Sequence, residues 1–262
     1  MTENPLKTKL STETAVLGTW VIIPSPILAE IFGVAGLDFQ ILDMEHGVFD
    51  LQALDNSIRA CESAGCSPLV RVPGVAAFTI QSVMDLGAHG VVIPQVPDER
   101  AALTAVRCMK YAPEGTRGYN PFTRAAYYSN PATNDVGKLN NGFGFASVIV
   151  ESESALNALD GILAVPGLDM VYLGVYDMAV ALGCKGDTSH PRIVEFVESA
   201  VARIRRAGKA AGMMVKTQTE MKRALALGAN FLVLAVDTFI VYRAVSEAVQ
   251  QFRSVVSAVR ER

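Results

Sequence analysis

Short apolar runs rich in β-branched residues alternate with amphipathic stretches along the whole chain. The runs are Val16–Ile23, Phe39–Met44, Pro68–Val72, Gly90–Val96, Ala146–Val150, Met170–Gly174, Gly212–Val215 and Phe231–Val236. Their continuous Val, Ile and Leu character predicts parallel strands covered on both faces, because a half-exposed strand would alternate with polar residues. Between the runs the apolar spacing is helical. Leu51–Ala64 sets Leu51, Leu54, Ile58 and Cys61 on one face, and Thr79–Leu86 gathers Ile80, Val83 and Met84. Ile193–Ala207 carries a stripe of Val194, Val197, Val201 and Ile204, while Glu220–Leu227 stops at Gly228. Glycine at such an end takes the left-handed conformation that closes a helix.

Eight strand–helix units in about 250 residues predict a single (β/α)8 TIM barrel, here spanning 1–262. A doubly wound sheet would show a Gly-rich turn after its first strand. This chain has Pro24-Ser25-Pro26 there. One interval breaks the rhythm. After a helix at Glu99–Lys110, the segment Tyr111–Phe145 mixes Gly, Pro and Asn with Arg117, Tyr119, Arg124, Tyr127 and Tyr128. A loop of that length reads as a lid, a subunit contact or an ordered surface excursion.

Composition narrows the class. The 262 residues are 50% hydrophobic and 19% charged, with mean hydropathy +0.29. A typical soluble chain is about a quarter charged. Disorder is excluded, because such a chain buries ample apolar surface. Two-sided strand burial, a subunit interface, or both account for the low charge. The net charge of −3 offers no basic face for nucleic acid. No run reaches the ~18 apolar residues of a membrane span, and Met1–Leu10 lacks the apolar core of a secretory signal. Cys61, Cys66, Cys108 and Cys184 form no C-x-x-C pair, so they read as reduced thiols of a cytoplasmic protein. Three histidines are too few for a His-rich metal site.

The chemistry of such a barrel sits at the C-terminal ends of its strands. The second run ends in Asp43-Met44-Glu45-His46, the third at Arg71, the fifth at Glu151 and the sixth in Gly174-Val175-Tyr176-Asp177. Asp85 lies on the helix after the third run; Lys216 and Asp237 follow the last two. Glu151 and Asp177, ending neighbouring strands, suit a shared hard cation such as Mg²⁺ or Mn²⁺. Each is equally suited to cap the helix that follows it. Zinc fits less well, with one histidine near and no cysteine. Asp43 three residues before His46 reads as a carboxylate that prepares an imidazole base, against the alternative of a satisfied structural histidine. Arg71 can grip a carboxylate by two parallel hydrogen bonds, or simply tie the barrel mouth together. His89 and His190 read as ordinary turn or surface residues. Lys216 offers a competing Schiff-base chemistry. A third reading is an inert barrel used for ligand binding or assembly.

Residues 18–25 (GTWVIIPS), 36–47 (GLDFQILDMEHG), 69–73 (LVRVP), 83–94 (VMDLGAHGVVIP), 111–118 (YAPEGTRG), 167–177 (GLDMVYLGVYD) and 228–238 (GANFLVLAVDT) together resemble the HpcH/HpaI-type class II pyruvate aldolases of the phosphoenolpyruvate/pyruvate barrel superfamily. The resemblance runs from about residue 6 to 253. It implies reversible aldol cleavage of a 4-hydroxy-2-keto acid to pyruvate, or a related keto acid, and an aldehyde, through a metal-stabilised enolate. By that resemblance Glu151 and Asp177 match the ligands of a divalent metal (Mg²⁺, Mn²⁺ or Co²⁺), and Arg71 matches the arginine that holds the keto acid. His46 with Asp43 matches the base dyad, Asp85 a supporting acid near it, and Glu45 an acid bonded to metal-bound water. Gly174, Tyr176 and Met214 fall on the substrate wall. A homo-oligomer, typically a hexamer with an exchanged C-terminal helix, is also implied. Three positions depart from the pattern. Ile149 replaces a glutamine two residues before Glu151, Tyr176 replaces a small residue, and Met214 stands where leucine is usual. These changes point to an altered donor or acceptor.

Overall fold

The computed structural model describes residues 3–130 and 135–260; residues 1, 2, 131–134, 261 and 262 of the expected 1–262 domain lie outside them. Helix α1 (Pro5–Thr12) precedes β1 (Val16–Val21), α2 (Pro26–Val34), β2 (Phe39–Asp43), α3 (Leu51–Ser63), β3 (Ser67–Arg71), α4 (Ala77–Asp85) and β4 (Gly90–Ile93). Then come α5 (Glu99–Met109), a 3-10 segment at Arg124–Ser129, α6 (Val136–Phe143), β5 (Phe145–Val150), α7 (Glu153–Asn157) and α8 (Leu159–Leu163). The chain ends with β6 (Met170–Leu173), α9 (Val175–Ala181), α10 (Pro191–Arg206), β7 (Ala210–Val215), α11 (Gln218–Leu227), β8 (Phe231–Val236) and α12 (Asp237–Arg260). The eight strands close in sequence order, and every neighbouring pair is parallel, β8 returning to β1. This is the (β/α)8 barrel expected from the run pattern.

The two-residue period of a strand sorts its side chains into two cores. Phe39, Ile41, Leu69, Phe145, Ile149, Met170, Tyr172 and Phe231 point inward and fill the barrel. Leu42, Val70, Val91, Val148, Val150, Val171 and Leu173 point outward and pack under the helices. Phe39 and Phe231 stack with centroids 3.9 Å apart. The Phe39 ring has room only because Gly18, its register partner on β1, lacks a Cβ; an added one would collide with that ring. Carried two residues further, the inward frame of β2, β3, β5 and β6 delivers Asp43, Arg71, Glu151 and Gly174 to one rim.

Helix α1 has no apolar run to announce it. It forms because Asn4 caps it, accepting from the Leu6 amide at 3.0 Å, and Pro5 presets the first turn. Asn4 also donates to the carbonyls of His89 and Phe143, at 2.9 and 2.7 Å, which seats Leu6 in the lower barrel core.

Two expectations are corrected. His89 is in the turn before β4 but is buried, with its ring edge on Phe143 and Nε2 3.0 Å from Glu62. The described part of Tyr111–Phe145 is not a lid. Arg124 bonds the Leu86 carbonyl and pairs with Glu62, and Arg117 pairs with Asp85. These partners end α3 and α4, at the end of the barrel away from the rim. A cavity of about 350 Å³ there, lined by Glu62, Arg124 and Phe143, includes none of the rim residues. Residues 131–134 of the segment lie outside the described structure.

Candidate active site

At the rim, a cavity of about 260 Å³ is lined by Trp20, Asp43, His46, Arg71, Ile149, Glu151, Tyr172, Gly174, Tyr176, Asp177 and Met214, among others. Its floor is a connected set. Trp20 Nε1 donates to Tyr172 Oη at 3.3 Å, and the two rings meet edge to face. The Arg71 guanidinium lies over the indole, 4.3 Å from its centroid. Arg71 then spans both acids of the β2 exit. Its Nε donates to Asp43 Oδ1 at 2.8 Å, Nη2 to Asp43 Oδ2, and Nη1 stands 3.2 Å from Glu45 Oε2. Burial alone would lower its pKa, but Asp43, then Glu45 and Glu151, raise it, so the cation is secure. The fork faces Asp43 rather than open space. Of five guanidinium donors, about two remain for a ligand.

Asp43 is 1% exposed and has three duties. Besides Arg71, it accepts from the backbone amides of Glu45 at 2.9 Å and His46 at 3.2 Å, an Asx-type turn. The structure therefore joins Asp43 to His46 through the main chain and not through the imidazole. The His46 ring is exposed on the cavity wall and bonds no other side chain among the described residues.

Glu151 and Asp177 meet across the β5–β6 seam. Glu151 Oε1 accepts from the Gln95 amide at 2.6 Å, while Oε2 has no protein donor among the described residues. Asp177, in the first turn of α9, accepts no hydrogen bond among them. Burial first, and then the charges of Asp177 and Glu45, push the Glu151 carboxyl up. Gly174 makes the approach possible: a Cβ there would stand 2.6 Å from the Glu151 Cβ and 2.9 Å from Oε2. No cluster of three or more His, Cys, Asp or Glu ligands exists among the described residues. The donor set is thus two carboxylates with free oxygens in one cavity, which fits a hard cation that keeps water or substrate on its remaining positions.

Gln95 is a site residue that the sequence does not single out. The apolar run Gly90–Val96 puts Pro94 and Gln95 inside a strand, but β4 ends at Ile93 and Gln95 turns left-handed, with φ of 55°. That conformation is costly for a residue with a Cβ and persists only where the surroundings demand it. It aims the amide at Glu151 and lets Nε2 donate to Glu45 Oε1 at 3.1 Å. The residue before it, a proline after a strand, is the one available signal.

Other expected residues fall elsewhere. Asp85 ends α4 and pairs with Arg117, outside the cavity lining, so one chain does not place it beside His46. Asp237 is a structural acid: its Oδ2 accepts from Ile22 and Ile23, at 3.0 and 2.8 Å, locking β1 to α12. Lys216 is not among the residues that line the cavity; its Nζ donates to Oη of Tyr176, which does line it.

Comparison with known proteins places the chain in a family. The chain is 34% identical over 242 residues to a hydroxypyruvate/pyruvate aldolase of Agrobacterium fabrum, covering 90% of this chain and 88% of that one. It is 32% identical over 251 residues to the 2-keto-3-deoxy-L-rhamnonate aldolase of Escherichia coli, covering 96% and 94% respectively. A crystal structure of a HpcH/HpaI aldolase/citrate lyase family protein from Burkholderia cenocepacia superposes with TM-score 0.90 at 28% identity, over 95% of this chain and 99% of that one. The family model for HpcH/HpaI aldolase/citrate lyase matches residues 17–244, and the chain belongs to that family.

Proposed function

We propose that this protein is a class II aldolase, cleaving a 4-hydroxy-2-keto acid reversibly to pyruvate, or a near relative, and an aldehyde. The observation that carries the reading is the Glu151–Asp177 pair facing Arg71 and His46 across one cavity. Three acids, Asp43, Glu151 and Asp177, line that cavity, and a fourth, Glu45, pairs with its single arginine. A keto-acid anion enters such a field only if further positive charge is present. Glu151 and Asp177 would hold a divalent cation, Mg²⁺, Mn²⁺ or Co²⁺, and such an ion would supply that positive charge as a Lewis acid.

The chain's own groups do the rest. Arg71, held flat by Trp20 and Asp43, directs its remaining N–H groups at the keto acid, where negative charge grows as the carbon–carbon bond breaks. His46 accepts the proton of the 4-hydroxyl. The C3–C4 bond then breaks, the aldehyde leaves, and the electron pair stays with the pyruvate fragment as an enolate that is protonated at C3. Asp43 positions both partners, Arg71 by its carboxylate and His46 by the turn it caps. Glu45 and Gln95 brace Glu151 and Arg71. Gly174, Tyr176 and Met214 form the wall on which the substrate lies.

Stripping the protein with a chelator is expected to abolish aldol cleavage, and Mg²⁺, Mn²⁺ or Co²⁺ to restore it. Release of pyruvate from a 4-hydroxy-2-keto acid, coupled to lactate dehydrogenase, reads the result. Full activity in the chelated protein refutes the assignment.

The working form is a homo-oligomer, hexameric with an exchanged α12. Tyr242, Val245, Val249, Phe252 and Val259 recur at helical spacing on α12 and are all exposed, as are Ile27, Ile31 and Val34 on α2. Apolar faces of this extent mark association. Light scattering is expected to give a multiple of 28.0 kDa; a monomer at micromolar concentration contradicts it.

No helix among the described residues is long and apolar enough to cross a membrane, and the expected partners are small molecules rather than nucleic acid or lipid.

A further inference from the structure

The phenol of Tyr172 has a proton with no destination. Tyr172 lines the rim cavity from β6, two residues before Gly174, and is 5% exposed. Its Oη accepts from Trp20 Nε1 at 3.3 Å, and no carbonyl or carboxylate among the described residues takes the O–H in return. A tyrosine hydroxyl both accepts and donates, so one of its two functions is unused. Its register partner on β5 is Ile149, an apolar side chain with no acceptor to offer. Burial pushes the phenol well above its ordinary range, which keeps the proton in place as a donor.

The ring is seated from both sides. On β7 its register partner is Gly212, where a Cβ would stand 2.8 Å from the Tyr172 ring. Trp20 meets it edge to face, with centroids 5.4 Å apart. These contacts fix the hydroxyl on the cavity floor, at the indole that the Arg71 guanidinium also covers. Arg71 serves an incoming anion only in part, because most of its fork is committed to Asp43 and Glu45. A second donor on the floor fills that shortfall without adding a charge.

We propose that Tyr172 is the floor donor of the keto-acid site, its O–H binding the substrate carboxylate alongside the free N–H groups of Arg71. The inference deepens the aldolase reading above and rests on it. The orientation follows from the exit. The aldehyde leaves through the mouth of the cavity, and the C3–C4 bond lies against His46 on the wall. The carboxylate, at the other end of the donor half, is then the part that faces down. A hydroxyl bonded to an anionic oxygen belongs to the strong, charge-assisted class. The carboxylate is the same before and after C3–C4 cleavage, so this bond holds substrate and transition state alike. Its loss therefore falls on KM and not on kcat.

Tyr172→Phe keeps the ring against Gly212 and Trp20 and removes the hydroxyl alone. Exchange of the pyruvate methyl protons in D2O, with Mn²⁺ present, reads the donor half of the site. Its KM is expected to rise about tenfold to a hundredfold, the scale of one hydrogen bond to a charged group, with kcat within about twofold of the wild type. Calorimetry with oxalate, a planar dicarboxylate probe, should show its Kd rising by a similar factor, while Mn²⁺ affinity without oxalate stays where it was. An unchanged KM overturns the assignment. A fall in kcat at constant KM also overturns it, by putting the hydroxyl at a reacting atom. A matching loss of Mn²⁺ affinity does the same, by making Tyr172 a support for Glu151 and Asp177. If the wild type with Mn²⁺ neither exchanges pyruvate nor binds oxalate, the aldolase reading itself fails.

Discussion

Replacing Glu151 by glutamine is expected to remove cation binding and aldol cleavage together while leaving the barrel folded. Glutamine has the same shape, and its carbonyl can still accept from the Gln95 amide. What it loses is the charge. A bound cation supplies several kcal/mol of transition-state stabilisation, so the rate is expected to fall about a thousandfold or more. Asp177→Asn should behave alike, because the two acids act as one site. Stability should move the other way. Glu151 is pushed up by burial and by the charges of Asp177 and Glu45. Neutralising it relieves that repulsion, so the cation-free variant should melt no lower than the cation-free parent. Titration with Mn²⁺ by calorimetry, a thermal melt and the coupled pyruvate assay together check this. Tight Mn²⁺ binding retained in both variants overturns the ligand assignment.

Removing the imidazole separates proton transfer from cation binding. His46→Ala is expected to lower kcat for aldol cleavage by about a hundredfold to ten-thousandfold, the usual range for a lost general base. Mn²⁺ affinity should hardly change, because His46 bonds neither Glu151 nor Asp177. The fold should survive as well. The Asx turn at Asp43 bonds the backbone amide of residue 46, which alanine retains. Equal losses of cation affinity and rate would show that His46 serves the cation and not the proton.

Much of this site is legible in the chain because a barrel converts position along a strand into position in space. Asp43, Arg71 and Glu151 each stand two residues beyond an interior apolar residue, so the same alternation that builds the core also names the rim. Three features are not legible, and each depends on an angle or a partner that spacing does not encode. Asp43 sits three residues from His46, which suggests a dyad. Its carboxylate is instead taken by an arginine 28 residues away on the next strand. Gln95 acts through a left-handed backbone turn, which no hydrophobic pattern marks. Asp85 matches a motif in sequence, but as the last residue of α4 it lies at the far end of the barrel, where Arg117 claims it. The Tyr111–Phe145 segment misleads for a related reason. Its tyrosines and arginines look like lid chemistry, and the fold uses the arginines to tie the ends of α3 and α4.

The Phe39 ring resting over Gly18 has a consequence for relatives of this chain. The two positions are register partners on adjacent strands, and a Cβ at 18 would stand 2.4 Å from the Phe39 ring and equally close to the Phe39 backbone carbonyl oxygen. A smaller residue at 39 would clear the ring but not the carbonyl, so position 18 should stay glycine wherever β1 and β2 keep this register. Because Phe39 also stacks on Phe231, that one glycine seats a ring pair that reaches across the barrel to β8.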